Sequence, residues 1–276
     1  MTEADIARAY LERIAYTGIK EPSLETLKKL HYLHPITFPF EDTQSFQSLP
    51  VNLDIQSLYR KMITQHRGGY CYEQNHLFKF ILEHLGFDVK GYGARVVWKQ
   101  PFKAITPKSH MFLIVSIGTR RFLADVGFGV MQMTAPIEFI PEKIQETPHG
   151  IYKIIRIQTD EFLLQIKYEN SWQPMYKFRL IEQYEIDYVM ANWYISTHPD
   201  SKFVQNLVAV KLLSDRRITL HNQIMNSYFY TGKKVERRLT SADEIIQTLE
   251  KEFDIITPDN HILKKAIEQK IFQSVN

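Results

Sequence analysis

Cys71 is the single cysteine of the 276-residue chain and stands in Arg67-Gly-Gly-Tyr-Cys-Tyr-Glu-Gln-Asn75. The two glycines let the backbone turn sharply and approach another group closely. The residues that follow read as helix, so the thiol sits at or next to a helix N-terminus, where the positive end of the dipole favours thiolate. Backbone N–H groups at such a turn can hold an oxyanion. A lone cysteine is more often a small buried hydrophobe. A nucleophile needs, in addition, a base and an acid that orients the base.

His110 and Asp125 can supply both. His110 opens the run His110-Met-Phe-Leu-Ile-Val-Ser116, and the next run, Arg121-Phe-Leu-Ala-Asp125, precedes Val126-Gly-Phe-Gly129. Gly118-Thr119 between them reads as a tight hairpin turn. If these two residues form the loop, Ile117 faces Arg120, Asp125 faces Phe112 and His110 faces Gly127. His110 and Asp125 then project from one face at diagonal positions, roughly 5–8 Å apart. The glycine leaves room for the imidazole, and the carboxylate can accept its N–H and stabilise the imidazolium. A loop of odd length would put the two side chains on opposite faces. Taken singly, a histidine at a strand edge and an aspartate in a turn have ordinary structural roles. With Cys71 they make the Cys–His–Asp set that nucleophilic acyl transfer uses.

Three stretches of different periodicity must bring these residues together. Ile6, Tyr10 and Ile14, then Leu24, Leu27 and Leu30, recur at helical spacing. Pro22-Ser23 predicts the start of the second helix, and Pro35 with Pro39 its end. A short helix over 54–63 and a strong one over 71–85, ended by Gly86, complete a predicted helical bundle at 1–88. From there the runs 94–98, 111–117, 121–126, 152–157 and 162–168 are rich in branched and aromatic residues and separated by turn formers. This punctuation predicts a small antiparallel barrel or sandwich over 89–190 that carries His110 and Asp125. Residues 191–276 make up the remaining part, which reads as mixed over 186–207 and then returns to strands. Its predicted strands span 208–213, 217–224, 227–230 and 234–239. A helix then opens at Ser241, with Glu244 three residues on, a capping box. The fold class is α+β.

Hydrophobic residues make up 44% and charged residues 24%, an ordinary globular composition, so the core needs neither disulfide nor metal, and no metal site is read from the sequence. A formal net charge of +3 is too small to suggest nucleic acid as a partner, yet leaves room for a basic patch that receives an anionic cosubstrate. One cysteine permits no intramolecular disulfide, which fits the cytoplasm. The longest apolar run, 111–115, is too short for a bilayer. The first residues lack the basic-then-apolar order of a signal peptide, so no membrane contact is expected.

The cysteine motif resembles that of the arylamine N-acetyltransferases almost letter for letter. Asp125-Val-Gly-Phe-Gly129, with His110 at matching spacing before it, resembles the family's aspartate motif. Tyr10-Leu-Glu-Arg-Ile14, Pro39-Phe-Glu41, Asn192-Trp-Tyr-Ile-Ser-Thr-His-Pro199 and Ser201-Lys-Phe203 are similar to its other signatures. The resemblance runs from about residue 8 to the end, weakest after about 205. It implies an N-terminal helical bundle, a central antiparallel β-barrel and a C-terminal α/β lid, around a catalytic core like that of transglutaminases and papain-like proteases. It implies ping-pong transfer of an acetyl group from acetyl-CoA, through a thioester on Cys71, to aromatic amines, hydrazines or N-hydroxyarylamines, as in xenobiotic metabolism. His110 would be the base and acid and Asp125 its orienter. Phe40, Val96, Phe128 and Phe203 would line the cleft for acceptor and pantetheine, and Glu41 with Arg67 would brace the loop holding Cys71. Lys103 and Lys108, before His110, could meet CoA phosphates, although solvated surface lysines are commoner. The chain departs from the family pattern at Asp42, where Asn is usual, at Val130, where another Gly often stands, and at Thr106-Pro-Lys108, where some relatives have a Gly. An amide hydrolase of the papain or transglutaminase kind, or a biosynthetic amide synthase on the same core, is the alternative.

Overall fold

The side chain of Thr2 accepts the N–H of Asp5 and starts helix α1 (Glu3–Arg13); Ser23 does the same for Thr26 and starts α2 (Leu24–Thr37). The computed structural model describes residues 1–101 and 103–273. Pro35 does not end α2, which continues to Thr37. An internal proline removes one N–H and strains the turn before it, and here the last turn still closes through Phe38 N–H to the His34 carbonyl. Next come strand β1 (Phe40–Glu41), α3 (Thr43–Phe46), α4 (Ile55–Leu58) with a π-helical turn at Tyr59–Thr64, and α5 (Cys71–His84). Gly86, at φ +82°, ends this helical part. The expected apolar stripes meet in one core: Ile6, Tyr10 and Ile14 of the first segment, Leu27 and Leu30 of the second, and Leu77, Phe78 and Ile81 of α5.

The barrel is built from β2 (Asp88–Val96), β3 (Lys108–Ile117), β4 (Arg120–Ala124), β5 (Ile137–Glu138), β6 (Gln145–Thr147), β7 (Gly150–Arg156), β8 (Phe162–Tyr168) and β9 (Ser171–Glu182). These form one antiparallel sheet in the order β5-β4-β3-β2-β9-β8-β7-β6. Its edges β5 and β6 are joined by the Gln145 amide, which accepts from the Glu138 N–H and donates to the Glu138 carbonyl, both at 2.8 Å. The sheet is thereby nearly closed. The β3–β4 hairpin has the register of a two-residue loop, with Ile117 opposite Arg120 and Leu113 opposite Ala124. The longest strand, β9, is absent from the sequence reading. It opens on Ser-Trp-Gln-Pro, and Pro174 is tolerated because the ladder shifts register beside its partner Gln165.

The segment expected to be mixed is helical, with α6 (Glu185–Thr197) and α7 (Lys202–Gln205). Strands β10 (Val208–Leu212), β11 (Arg216–His221), β12 (Ile224–Phe229) and β13 (Lys234–Arg238) follow, and the run expected over 217–224 is broken by Asn222, at φ +53°. Their sheet has the order β1-β10-β11-β12-β13, so Phe40 and Glu41 of the helical part supply its edge. Helices α8 (Ala242–Phe253) and α9 (Asn260–Ile267), with a π-helical turn at Glu268–Phe272, bury Ile245, Leu249, Leu263 and Ile267 in the core of this part. Ser241 caps α8 through the Glu244 N–H, but the Glu244 carboxylate returns to the N–H of Thr240 rather than of Ser241. The whole is α+β in three parts. No helix among the described residues is long and apolar enough to cross a membrane.

Candidate active site

The turn before Cys71 is pressed against β1. A β-carbon on Gly68 would stand 1.8 Å from the Pro39 carbonyl oxygen, so only glycine fits there. The Gly69 N–H donates to the Pro39 carbonyl at 3.3 Å, and its own carbonyl accepts from the Glu41 N–H at 3.1 Å. From inside α5 the Gln74 amide donates to both carbonyls, at 2.9 and 3.1 Å. Beneath the turn, Arg67 and Lys61 lie 3.2 and 3.4 Å from the same oxygen of the fully buried Glu41, and Lys61 is 2.7 Å from Glu73. Burial alone would raise the Glu41 pKa, but the two cations and the Thr43 hydrogen bonds hold it down to about 2. Two buried cations thus balance two buried carboxylates directly behind the cysteine loop.

Cys71 begins α5 and is 4% exposed. Its Sγ donates toward the Ser109 carbonyl at 3.6 Å, and the Tyr72 hydroxyl donates to the Lys108 carbonyl at 3.3 Å. The head of α5 therefore meets the start of β3, where His110 stands. His110 Nε2 donates to Asp125 Oδ2 at 2.7 Å, and Cys71 adds to the electrostatic surroundings of the imidazole. Burial pulls the His110 pKa down. The charge and hydrogen bond of Asp125, with Cys71 adding, outweigh burial and push it up to about 10. The ring therefore keeps its proton at neutral pH.

Asp125 is held from every side. Burial raises its pKa, but the His110 charge and its hydrogen bonds keep it below the ordinary carboxylate range. Oδ1 accepts from the Gly127 N–H at 3.0 Å and from Asn75 Nδ2 at 3.1 Å, and Oδ2 also accepts from the Tyr176 hydroxyl at 3.1 Å. Its N–H donates to His31 Nε2 at 3.0 Å, and its carbonyl accepts from Gln132 at 2.6 Å. Asn75 further donates to the Met111 carbonyl at 2.8 Å and accepts from the Val126 N–H at 3.1 Å, so one α5 side chain fixes both strands.

Asn75, Tyr176, Gln132 and His31 were not singled out from the sequence. Asn75 lies four residues after Cys71, hence on the same helix face, and that spacing is the signal that could have found it. Tyr176 carried none, because its strand was not read.

Of the expected cleft residues, Phe40 and Phe203 share an apolar cluster with Cys71, their rings 5.9 Å apart, and Phe203 meets Tyr70 edge-on at 5.7 Å. Phe128 meets the His110 ring edge-on at 5.3 Å. Val96 is not gathered with them. It lies half-buried at the end of β2, opposite Tyr176 in the ladder. Lys103 and Lys108 are exposed.

A thiol at a helix head, beside an imidazole that a buried carboxylate keeps charged, has the parts needed to attack an acyl carbon. The first N–H groups of the helix have no intrahelical partner and can meet an oxyanion. Consistent with acyl-transfer chemistry, residues 23–262 match the N-acetyltransferase family. Within it, the chain belongs to the arylamine N-acetyltransferases. It is 35% identical to the arylamine N-acetyltransferase of Escherichia coli K12 over 256 residues, 92% of this chain and 90% of that protein. It is 32% identical to the arylamine N-acetyltransferase / N-hydroxyarylamine O-acetyltransferase of Salmonella typhimurium, over 90% of this chain and 88% of that one. The structure of Mycobacterium marinum arylamine N-acetyltransferase in complex with CoA superposes with a TM-score of 0.91, at 31% identity, over 96% of this chain and 99% of that one.

Proposed function

We propose that the chain transfers an acetyl group from acetyl-CoA to Cys71 and thence to an aromatic amine, hydrazine or N-hydroxyarylamine. The observation that supports this reading is the 2.7 Å Asp125–His110 bond, with the Cys71 sulfur at the head of α5 reaching the carbonyl of Ser109, the residue before His110. The names of the relatives supply the arylamine and N-hydroxyarylamine acceptors, the CoA bound by the Mycobacterium marinum protein supports a CoA thioester as donor, and hydrazines follow from the family resemblance alone.

In the first half-reaction Cys71, as a thiolate beside protonated His110, attacks the thioester carbonyl, the bond to the CoA sulfur breaks, and His110 gives that sulfur its proton and is left neutral. In the second, the amine nitrogen attacks the acetyl-cysteine carbonyl, His110 takes the amine proton, and Cys71 leaves as thiolate. Asp125 keeps the imidazole oriented and stabilises its charge. Aromatic amines suit this chemistry because they are unprotonated at neutral pH. Phe40, Phe128 and Phe203 form an apolar cleft that keeps water from the thioester, which favours transfer over hydrolysis. Glu41 and Arg67 would brace the nucleophile's loop, and the exposed Lys103 and Lys108 would be the contacts for CoA phosphates. The free thiol suits the reducing cytoplasm.

The test is intact-protein mass spectrometry. Mixing with acetyl-CoA adds one acetyl group, an aromatic amine removes it with formation of the acetylated amine, and Cys71→Ala takes up none while keeping its circular dichroism. Acetylation of Cys71→Ala removes the nucleophile from the proposal, and loss of the acetyl group to water at an unchanged rate with amine present makes the enzyme a hydrolase.

A further inference from the structure

Helix α6 is apolar on two opposite sides. Tyr188, Asn192 and Ile195 face inward, where Tyr188 meets Tyr72 and His76 at ring distances of 5.7 and 4.9 Å. On the other side Ile186, Val189, Met190 and Trp193 recur at the i, i+3, i+4, i+7 spacing of a single helix face, and they are 71, 51, 72 and 64% exposed. Tyr194, eight residues after Ile186, extends this face at 40% exposure. These five side chains leave on the order of 700 Å² of surface in water, above the roughly 300–600 Å² of the largest apolar patch on a monomer and near the roughly 800 Å² each partner contributes to a stable interface.

We propose that this face is a homodimer interface, in which α6 packs antiparallel on α6 of a second copy about a two-fold axis beside Met190. A two-fold axis makes a single stripe its own partner: Ile186 of one copy meets Trp193 of the other, and the Met190 side chains meet at the centre. An antiparallel pair also opposes the two helix dipoles, which a parallel pair would align.

Sedimentation velocity on the full chain over a concentration series up to about 100 μM tests this. The wild type sediments as a dimer of the 32.6 kDa chain, dissociating on dilution. Met190→Lys and Trp193→Glu, each with unchanged circular dichroism because both side chains stand in solvent, raise the dissociation constant at least about tenfold. A wild type that stays monomeric throughout, or a dimer indifferent to both apolar substitutions, overturns the proposal. Adsorption to anionic phospholipid vesicles in place of self-association makes the face a membrane surface instead.

Discussion

A β-carbon on Gly127 would stand 2.8 Å from the Cα of Cys71. The loop leaving Asp125 and the head of α5 therefore touch backbone to backbone, and the same imagined carbon would also stand 2.8 Å from the Asn75 amide nitrogen. This contact sets how far the carboxylate side of the site lies from the sulfur side. Gly127→Ala forces the two apart, costs about 1–3 kcal/mol of stability as overpacking, and lowers the rate of Cys71 acetylation by about 100-fold through misplacement of His110. Urea melts and single-turnover acetylation followed by mass spectrometry measure the two effects. A variant that acetylates at the wild-type rate shows that the close approach does not position the site.

The imidazole of His110 has a second, separable consequence. Its folded pKa of about 10 lies above the ordinary 6.5 of histidine. The stability it contributes is therefore present in full below about pH 6.5 and is lost as pH rises toward 10. Histidine NMR on ¹⁵N-labelled protein should place the His110 midpoint well above neutrality. Asp125→Asn moves it down furthest, since the carboxylate contributes most of the upward push, and Cys71→Ala moves it down by less. Equal shifts in the two variants, or a wild-type midpoint near 6.5, would remove the charged imidazole from the mechanism.

How much of this was legible in the chain depends on which contacts are local. The turn Gly118-Thr119 sets the β3–β4 register, and counting outward from it puts His110 and Asp125 on one face, as found. Ser23, Gly86 and Ser241 mark helix ends by local backbone chemistry and were readable for that reason. Pro35 misled because the price of a proline inside a helix is fixed by packing that no local pattern reveals. Strand β9 was missed because its first residues are polar and include Pro174, and Tyr176, which completes the Asp125 shell, was lost with it. Helix α6 hid its period because apolar residues lie on both its inner and outer sides, so no stripe stands out from a polar background. The links from Asp125 to His31 and Asn75 join residues 94 and 50 positions apart, and only the fold creates them.

Two histidines of α2 set the acid limit of the fold. Burial is the main force lowering His31 to about 4 and His34 to about 3. His31 accepts the Asp125 N–H and leaves its Nδ1 without a hydrogen-bond partner, while His34 sits between the Tyr10 hydroxyl at 2.8 Å and Gln74 at 2.6 Å. Both folded values lie below the ordinary 6.5, so the unfolded chain takes up protons that the folded chain refuses. Stability falls as pH drops below about 6.5, by up to about 1.4 kcal/mol per pH unit for each imidazole. The decline continues to about pH 4 for His31 and about pH 3 for His34. Urea melts at pH 7, 5.5 and 4.5 measure it, and His31→Gln should remove one proton from the uptake. A pH dependence from 7 to 4.5 that His31→Gln leaves unchanged would mean that this imidazole is not buried neutral.

Asp42 stands where the family usually has asparagine, and its surroundings make the acid behave as that amide would. Its Oδ1 accepts the Val208 N–H at 2.8 Å, and Oδ2 is buried with no hydrogen-bond partner. Burial, with the Glu41 charge adding, raises its pKa well above the ordinary 3.8, against the pull of the Val208 hydrogen bond. Folding therefore raises the proton affinity of this carboxyl, and stability falls as pH rises above about 4. Asp42→Asn supplies the same shape with no proton to lose. It should stabilise the protein at pH 7 by about 1–3 kcal/mol, the scale of relieving one buried, poorly matched polar group, with the gain shrinking toward zero at pH 4. Paired urea melts at the two pH values measure this. An equal gain at both, or a loss at pH 7, would mean that Asp42 is ionised in the fold and that its carboxylate is required beside β10.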